Sequence, residues 1–393
     1  MKIKLYDLIL KSAEKGLKLQ KSDGSFPKGH NGPWKNVDTY VRTTAHWSLL
    51  LYKGYQISGN EDLKKASLNA CNYLLNRECR PYGHTFYCKK DGPRKSNGLI
   101  GQAWAVEPLI FIGKSFKKSI YLETAKEVLT LHPYDNDINA WMYVDINGEK
   151  KLTPHSTLNQ QIWFSTMALI LGDYLNIRYL KENAKDFFEN LPSLVDFLHE
   201  GLINQKISTF ENDRLVLEKI YWNLPLINLK REKIAKKFMD NLVGKYSKRK
   251  LGKLFRDRSL GYMTFVLYGL ALCYRYKNNL CFWKNKKLKK IIYSSINYIE
   301  DNYPYGFKEN LYAWQYNPTG IEMAFVLETF CNYLNISDLE KKIHKWLSKQ
   351  IQSHYDFEKG LMIKNTNDPA ILASRLYEAN RLKNYELNIK IGH

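Results

Sequence analysis

Apolar and amphipathic segments alternate along the chain, and both kinds repeat with helical spacing. The stretches 98–114 and 319–334 are apolar on nearly every side, whereas 61–77 and 338–352 carry a charged face. A helix that is apolar all round must be buried, so the alternation predicts inner helices paired with outer ones. The predicted helices span 5–19, 40–57, 61–77, 98–114, 119–130, 156–175, 178–200, 258–276, 286–301, 319–334, 338–352 and 368–382.

The apolar helices share one position, an aromatic residue in the first or second turn. Successive aromatic residues are separated by 57, 59, 102, 60 and 52 residues. This spacing predicts an internal repeat of about 57 residues, with an insertion around 201–257 in the long interval. The shared residues are Trp47, Trp104, Trp163, Phe265, Phe325 and Tyr377.

Six such helix pairs predict an all-α fold, an (α/α)6 barrel spanning 1–393 as a single domain. The inner helices would run in one direction, so their N-termini and the preceding loops would meet at one pole. Short β-hairpins, such as one turning at Asn147-Gly148, are expected in these loops. Helix N-termini attract negative charge, so this pole favours an anion. An open solenoid of helix pairs is the alternative architecture.

Composition adds a strong positive charge to this picture. The 393 residues include 60 Lys and Arg against 39 Asp and Glu, a formal charge of +21. Such a surplus attracts polyanions, but the lysines are spread along the chain rather than collected in one arm. The six cysteines show no metal-ligand or dense disulfide spacing, and no run is long enough to span a membrane. We therefore expect a cytoplasmic protein with no membrane span.

Several chemistries lack their sequence signatures. There is no P-loop, dinucleotide-binding fingerprint or HExxH zinc motif, and no Asp-rich run that would hold diphosphate-bound metals. A G-x-S-x-G nucleophile turn is also missing. No metal site and no cofactor are expected.

The predicted loop pole is rich in tryptophan, histidine, carboxylates and amides. Aromatic rings stack on the apolar faces of sugars, and planar polar groups bond their hydroxyls, so this set predicts carbohydrate binding. Candidate catalytic residues are Asp38, His46, His84 and Glu322. Candidate substrate-binding residues are His30, Trp34, Arg42, Asn97, Gln102, Trp141, His155, Asn159, Gln161, Trp163 and Trp314.

Each of these roles has a structural alternative. Asp38 acts as an acid or base, or caps the helix that follows it. Arg42 and His46 share a helical face, where they either hold a carboxylate or form a local bridge. Glu322, in the first turn of an apolar helix, needs a buried partner or a task. Trp163 lines the cavity or packs in the core.

Seven segments of the chain form a recognisable set: DGSFPKGHNGPW, VRTTAHW, RPYGHTF, SNGLIGQAW, LHPYD, HSTLNQQIWF and NDPAILASRLYE. Together they resemble the AglQ-type agl cluster proteins, which are associated with surface-glycan and N-glycan assembly. That family is similar in turn to (α/α)6-barrel carbohydrate enzymes, including unsaturated glucuronyl hydrolases. The resemblance implies processing of a glycan, one containing a hexuronic acid, by a hydrolase or an isomerase.

Three functions remain open at this point. The first is a glycoside hydrolase acting on a uronic-acid-containing or other polar oligosaccharide. The second is a sugar isomerase or epimerase on the same barrel, with two histidines as opposed proton-transfer groups. The third is a non-enzymatic protein that binds polyanions through its lysines. A glycan is the expected partner, nucleic acid is disfavoured, and the oligomeric state is left open.

Overall fold

Helices dominate the computed structural model, which describes residues 1–92, 94–150, 155–207, 248–302 and 310–389. No described helix combines the length and apolar character needed to cross a bilayer. The α-helices are α1 Leu5–Leu19, α2 Val41–Ser58, α3 Glu61–Leu74, α4 Gly98–Ser115, α5 Ser119–Thr130, α6 Leu158–Tyr174, α7 Arg178–Leu194, α8 Lys248–Lys277, α9 Lys286–Asn302, α10 Thr319–Leu334, α11 Leu339–His354 and α12 Pro369–Ser374.

The inner helices close into a ring. Helices α2, α4, α6, α8 and α10 each pack against the next. A 3-10 turn, Arg375–Arg381, continues α12 and packs against both α10 and α2, which completes the circuit. Outside the ring, α3, α5, α7 and α11 pack on α2, α4, α6 and α10. The predicted (α/α)6 barrel is therefore confirmed, and the open solenoid is wrong.

The shared aromatic residues all lie on inner elements, and each is almost completely buried. They do not all point the same way. Trp47 stacks on Phe26 with ring centroids 5.1 Å apart and packs against α1. Trp104 and Tyr377 instead contact His46 inside the barrel. The repeat therefore predicts where each helix pair lies along the sequence. It does not predict which side of the inner helix the aromatic side chain faces.

Short two-stranded sheets decorate the ring. In the part of the chain that the structure describes, three hairpins lie in connections that lead to inner helices, as predicted for the loop pole. A further pair joins the strand before α1 to the strand after the last 3-10 turn. The pairs are β2 Tyr134–Asp135 with β3 Ala140–Trp141, β4 Val195–His199 with β5 Leu202–Ile207, β6 Tyr355–Asp356 with β7 Leu361–Met362, and β1 Lys2–Lys4 with β8 Glu386–Asn388.

Three predicted helices have the largest boundary errors. The helix predicted at 178–200 ends at Leu194, because Pro192 interrupts its last turn and Gly201, at φ 80°, lets the following strands reverse. The helix predicted at 258–276 begins earlier, at Lys248. The last predicted helix is α-helical only to Ser374 and continues as a 3-10 turn.

The predicted insertion around 201–257 lies mostly outside the described residues. Its first residues belong to β5 and its last residues to α8.

The loop before α2 is pressed against α3 at Gly24. Gly24 has φ 91°, and a Cβ there would lie 2.4 Å from the backbone oxygen of Asn69. We expect Gly24→Ala to destabilise the protein by about 3 kcal/mol, from left-handed strain plus overpacking. Urea unfolding would measure this loss.

Gly59 provides the matched control for that substitution. It also has a positive φ, 71°, but nothing lies within 4 Å of its added Cβ. Gly59→Ala should cost only the backbone strain, about 1 kcal/mol. Equal losses for the two variants would show that the loop is not packed tightly on α3.

Candidate active site at the barrel mouth

Asp38 is held at the mouth of the barrel by the backbone around it. Its N–H donates to the carbonyl of Gly29 at 3.1 Å, and the next residue, Thr39, donates to the carbonyl of Cys88 at 2.9 Å. The side chain is only 2% exposed, and its Oδ2 has no hydrogen-bond partner among the described residues. Burial raises the pKa of Asp38 to about 6, although Arg42 and Lys89 oppose the shift. The carboxyl group can therefore change protonation near neutral pH.

Arg42 lies beside Asp38 and is equally buried. Its Nη1 is 3.8 Å from Asp38 Oδ2, which is an ion pair but too long for a hydrogen bond. The same nitrogen donates to Asn31 Oδ1 at 3.0 Å and to the Tyr316 hydroxyl at 3.3 Å. Its Nε and Nη2 have no partner within the described segments. One edge of the guanidinium thus keeps two unpaired donors.

His46 follows one helical turn below Arg42 and is fully buried. Its Nδ1 is 3.3 Å from Ser374 Oγ, whereas Nε2 has no partner in the described part of the chain. The ring stacks on Tyr377, with centroids 4.5 Å apart. Burial, with help from Arg42 and Arg375, lowers the pKa of His46 well below its usual value. The imidazole is therefore neutral at physiological pH.

Trp104 joins these residues into one cluster. The Arg42 guanidinium carbon lies 4.2 Å from the centroid of its ring, and His46 contacts the ring edge-on at 5.4 Å. Its indole Nε1 is buried and, among the residues described, unpaired. We call Asp38, Arg42, His46 and Trp104 the mouth cluster. Each member has a polar atom that could bond a ligand, and buried polar atoms usually have a partner.

Glu322 lies in a buried ionic network. Its carboxylate accepts a hydrogen bond from Thr264 and pairs with Arg375 Nη2 at 2.8 Å. Arg375 also donates from Nε to Glu378 Oε1 at 2.7 Å. Burial raises the pKa of Glu378 to about 8, despite Arg375. Glu322 therefore has the buried partner that its position required.

A further buried carboxylate, Glu107, supports the mouth cluster from below. Glu107 Oε1 pairs with Arg381 at 2.6 Å, and its Oε2 accepts from the Tyr377 hydroxyl at 3.2 Å. Tyr377 is the residue on which His46 stacks. This chain of contacts fixes the His46 ring from its lower side.

Two glutamines predicted to bind substrate instead anchor loops. Gln102 bonds Phe86 through both its amide oxygen and nitrogen, and it also donates to the Ser96 carbonyl at 2.8 Å. Gln161 does the same with Trp141 and donates to the His155 carbonyl at 2.8 Å. Their amide groups are engaged with backbone and are not available to sugar hydroxyls.

Three predicted tryptophans lie in packing positions. Trp141 is buried and donates to Ser165 Oγ at 2.9 Å. Trp163 is buried against Phe265 and donates to its carbonyl at 3.3 Å. Trp314 stacks on Trp346, with centroids 5.7 Å apart. The structure does not bring these three rings into contact with the mouth cluster.

His84 and His30 lie at the edge of the pole. His84 packs against the turn at Gly148, in a shallow surface pocket that Arg80 and Glu127 also line. His30 is 2.7 Å from the Asn367 carbonyl through Nε2, and its charge would lower the pKa of Asp38. His30 therefore lies near the mouth cluster, whereas His84 belongs to a separate surface feature.

The remaining predicted residues lie in loops before inner helices or in the first turn of such a helix. Asn97 adopts φ 59° immediately before α4. Asn159 is buried on α6, and its Oδ1 lacks a partner among the described residues. Trp34 is 37% exposed and donates from Nε1 to the Tyr262 hydroxyl at 2.9 Å. His155 is buried, and burial with nearby Arg94 lowers its pKa well below the usual value.

Some residues of the site escaped sequence reasoning. Asn31 and Tyr316 hold Arg42 but belong to loops 285 residues apart. Glu107, Arg375 and Glu378 could have been identified from the sequence, although the signal is weak. Each is a charged residue within an otherwise apolar segment, and such side chains need partners when buried. Among the described residues, no three His, Cys, Asp or Glu side chains converge as metal ligands would.

Comparisons with known proteins agree with the barrel. No protein-family profile matches the chain. Cellobiose 2-epimerase from Bacillus thermoamylovorans superposes with a TM-score of 0.63 at 12% identity, covering 93% of this chain and 94% of the epimerase. An unsaturated glucuronyl hydrolase specific for heparin gives 0.58 at 13% identity, covering 96% and 94%. At such low identities these likenesses concern the fold alone.

A sequence relative is more informative. Archaeal glycosylation protein Q from Haloferax volcanii is 30% identical over 384 residues, and the match covers 98% of each chain. The chain therefore belongs to the family of archaeal glycosylation protein Q.

Proposed function

We propose that the protein is a glycoside hydrolase that acts on a uronic-acid-containing glycan during surface-glycan assembly, with the mouth cluster as its active site. The observation that carries this proposal is the buried edge of Arg42, where two donors have no partner among the described residues and lie beside the protonatable Asp38. The glycosylation role of the Haloferax relative and the carbohydrate enzymes that share the fold support the same substrate class.

The free edge of Arg42 suits a carboxylate. A guanidinium presents parallel N–H groups that match the two oxygens of a carboxylate, and such charge-assisted pairs are among the strongest hydrogen bonds in proteins. Asn31 and Tyr316 occupy only Nη1, so they orient the group without covering Nε and Nη2. A uronic acid would supply the missing acceptors.

Asp38 suits proton transfer to the same ligand. A general acid works best when its pKa lies near the working pH, and burial brings Asp38 to about 6. Hydrolysis by two carboxyl groups needs a second free acid. The nearby Asp368 is committed to backbone N–H groups of His30 and Gly32. Asp38 is the carboxyl group of the mouth cluster, and hydration of an unsaturated uronic acid requires only a single acid–base group, so we favour this reaction.

An epimerase is the second candidate, and His46 favours it. Its imidazole is neutral, and its Nε2 has no partner among the described residues, so it could remove or return a proton. Turnover in deuterated water separates the two reactions. An epimerase would place solvent deuterium at the inverted carbon of the recovered sugar, whereas hydrolysis would release a new reducing end.

Replacing Arg42 tests the carboxylate site. Arg42→Lys keeps the charge but loses the forked geometry, so binding of a glucuronate-terminated disaccharide should weaken about 10- to 100-fold, the value of one to two charge-assisted bonds. Isothermal titration would measure the change. The matched neutral disaccharide should bind the variant and the wild type alike.

Arg178→Lys is the control for that experiment, because the Arg178 side chain is 86% exposed on the outer helix α7. It should leave both affinities unchanged. If Arg42→Lys weakened the neutral and acidic disaccharides equally, Arg42 would not be the carboxylate site.

A further inference from the structure

The Ser374 hydroxyl contacts two groups, but it has only one hydrogen to donate. Its Oγ lies 2.8 Å from the carbonyl oxygen of Ile371 and 3.3 Å from His46 Nδ1. A carbonyl oxygen can only accept a hydrogen bond, whereas a hydroxyl oxygen also has two lone pairs that accept. The shorter distance directs the O–H to Ile371. Towards His46, the oxygen of Ser374 therefore acts as an acceptor.

This arrangement determines which nitrogen of His46 carries the hydrogen. Burial, together with Arg42 and Arg375, lowers the pKa of His46, so the ring is neutral and holds a single N–H. That hydrogen lies on Nδ1, because Ser374 Oγ accepts from it. Nε2 is left as a bare acceptor nitrogen, and no described residue donates to it.

The same C-terminal segment also holds the plane of the imidazole. Tyr377 lies three residues after Ser374, and its ring stacks on His46 with centroids 4.5 Å apart. The Tyr377 hydroxyl is held in turn by Glu107 Oε2 at 3.2 Å. Stacking fixes the plane of the imidazole but not which of its edges faces Ser374. The hydrogen bond to Ser374 decides the edge, and with it the position of Nε2.

His46 differs in this respect from its neighbours in the mouth cluster. Arg42 Nε and Nη2 and Trp104 Nε1 are donors that cannot accept, and they too lack partners in the described segments. Arg42 and His46 are one turn apart on α2 and both contact the Trp104 ring, so a ligand bonded to Arg42 lies next to His46. Such a ligand satisfies the cluster if it presents acceptor oxygens to Arg42 and a donor to His46. A carboxylate oxygen has no hydrogen to donate, whereas a sugar hydroxyl does.

We propose that Ser374 is a positioning residue that holds His46 in the tautomer with hydrogen on Nδ1, so that Nε2 accepts a hydrogen bond from a hydroxyl group of the bound sugar. The inference rests on the proposed function for the statement that the ligand is a sugar acid, whereas the tautomer does not depend on it. The ligand class becomes a uronic acid whose carboxylate meets Arg42 and whose hydroxyl meets His46.

Nitrogen NMR of the full-length, ligand-free chain with labelled histidine tests the tautomer directly. At pH 7 we expect the His46 Nδ1 signal in the range of a protonated ring nitrogen and the Nε2 signal in the range of an unprotonated one. The His46 signals are identified by their loss in His46→Gln. A protonated Nε2 would overturn the proposal, whatever the protein binds.

Substitutions at Ser374 test its role. Ser374→Ala removes the acceptor for Nδ1–H, so the His46 signals should shift towards the other tautomer. Ser374→Thr keeps a hydroxyl and should keep the signals of the wild type. Ser67→Ala is the matched control, because Ser67 is equally buried and also donates to a backbone carbonyl, that of Ser48, at 2.8 Å. It should leave the His46 signals unchanged, and the same result for Ser374→Ala would remove Ser374 from the proposal.

Isothermal titration with two anions tests the hydroxyl group. Glucuronic acid carries hydroxyls, whereas tetrahydropyran-2-carboxylate has the same kind of ring and carboxylate without them. Ser374→Ala should weaken the binding of glucuronic acid about 3- to 10-fold, the value of one hydrogen bond, and leave that of the hydroxyl-free anion unchanged. Equal losses for the two anions, or no loss for either, would overturn the contact between His46 and a hydroxyl.

Failure of the proposed function gives a different pattern. Glucuronic acid binding that is undiminished in Arg42→Lys would defeat the carboxylate site, while the NMR signals still decide the tautomer of His46. If the wild type bound neither anion, the hydroxyl contact would fall together with the proposed function, and the role of Ser374 would be decided by the NMR comparison alone.

Discussion

Asp38→Asn is expected to reduce turnover by a factor of about 10² to 10⁴, the usual contribution of a general acid or base. The asparagine keeps the size of the side chain but cannot exchange a proton. Arg42 should still bind the carboxylate of the substrate, so the loss should appear in kcat rather than in substrate affinity. Turnover that survived the substitution would remove Asp38 from the mechanism.

The same substitution should stabilise the protein at pH 7.5. The pKa of Asp38 is raised from 3.8 to about 6, so the folded state binds more protons than the unfolded state between these values. Stability from this group therefore falls as pH rises from about 4 to 6, by up to about 3 kcal/mol. Asp38→Asn should recover a large part of this above pH 6 and nothing below pH 4.

Asp368→Asn is the matched control, because Asp368 is equally buried but its oxygens accept backbone N–H groups. It should destabilise the protein by about 1 to 2 kcal/mol, the cost of weakened charge-assisted bonds. Thermal unfolding followed from pH 4 to 8 would compare the two variants. If Asp38→Asn were less stable than the wild type at pH 7.5, this would contradict a raised pKa for the buried Asp38 carboxyl group.

Arg375→Met should cause the largest loss of stability, about 3 to 5 kcal/mol, because it leaves two buried carboxyl groups without their cation. Arg375 pairs with Glu322 at 2.8 Å and with Glu378 at 2.6 Å, and all three side chains are fully buried. The free energy of unfolding from urea titrations would measure the effect.

The loss should depend on pH in a defined direction. The pKa of Glu378 is raised to about 8 even with Arg375 present, so the folded state binds extra protons between about 4.5 and 8. Without the cation, both acids are harder to ionise, and the destabilisation should grow as pH rises through this window. It should be smallest near pH 4, where the unfolded carboxyl groups are also protonated.

Two controls accompany Arg375→Met. Glu378→Gln mimics the protonated acid and should change stability by less than about 1 kcal/mol at pH 7. Arg275→Met breaks the ion pair with Glu328, but the Arg275 side chain is 35% exposed, so the loss should also stay below about 1 kcal/mol. A loss of the same size for Arg375→Met would mean that the buried network contributes little.

The helix pattern and the repeat predicted the barrel because both follow from local periodicity. An apolar helix such as α4 must be covered on all sides, and six such helices can satisfy this by closing a ring. The hairpin of β4 and β5 was missed because its residues continue the apolar spacing of α7. Only Pro192 and the Glu200-Gly201 turn indicated that the helix ends, and these two signals are weaker than the helical spacing of the apolar residues.

The candidate site was predictable where its residues are close in sequence. Arg42 and His46 are spaced by four on α2, so they share one helical face, and Asp38 lies in the loop just before that helix begins. Asn31 and Tyr316 meet only after the ring closes, and no local pattern records that contact. The roles of Gln102 and Gln161 could not be predicted for the same reason. The sequence shows a polar side chain on an inner helix, but it does not show whether that side chain bonds a sugar or a loop.

The two loop-anchoring glutamines have a consequence for how this fold diversifies. Gln102 ties residues 86 and 96 to α4, and Gln161 ties residues 141 and 155 to α6. In each case the segment between the two bonded residues has both of its ends fixed to an inner helix. Such a segment can be lengthened, shortened or exchanged while the barrel keeps its geometry. Arg94 and Lys89 lie within the first of these segments, so substitutions there could change what binds at the mouth while the barrel stays the same.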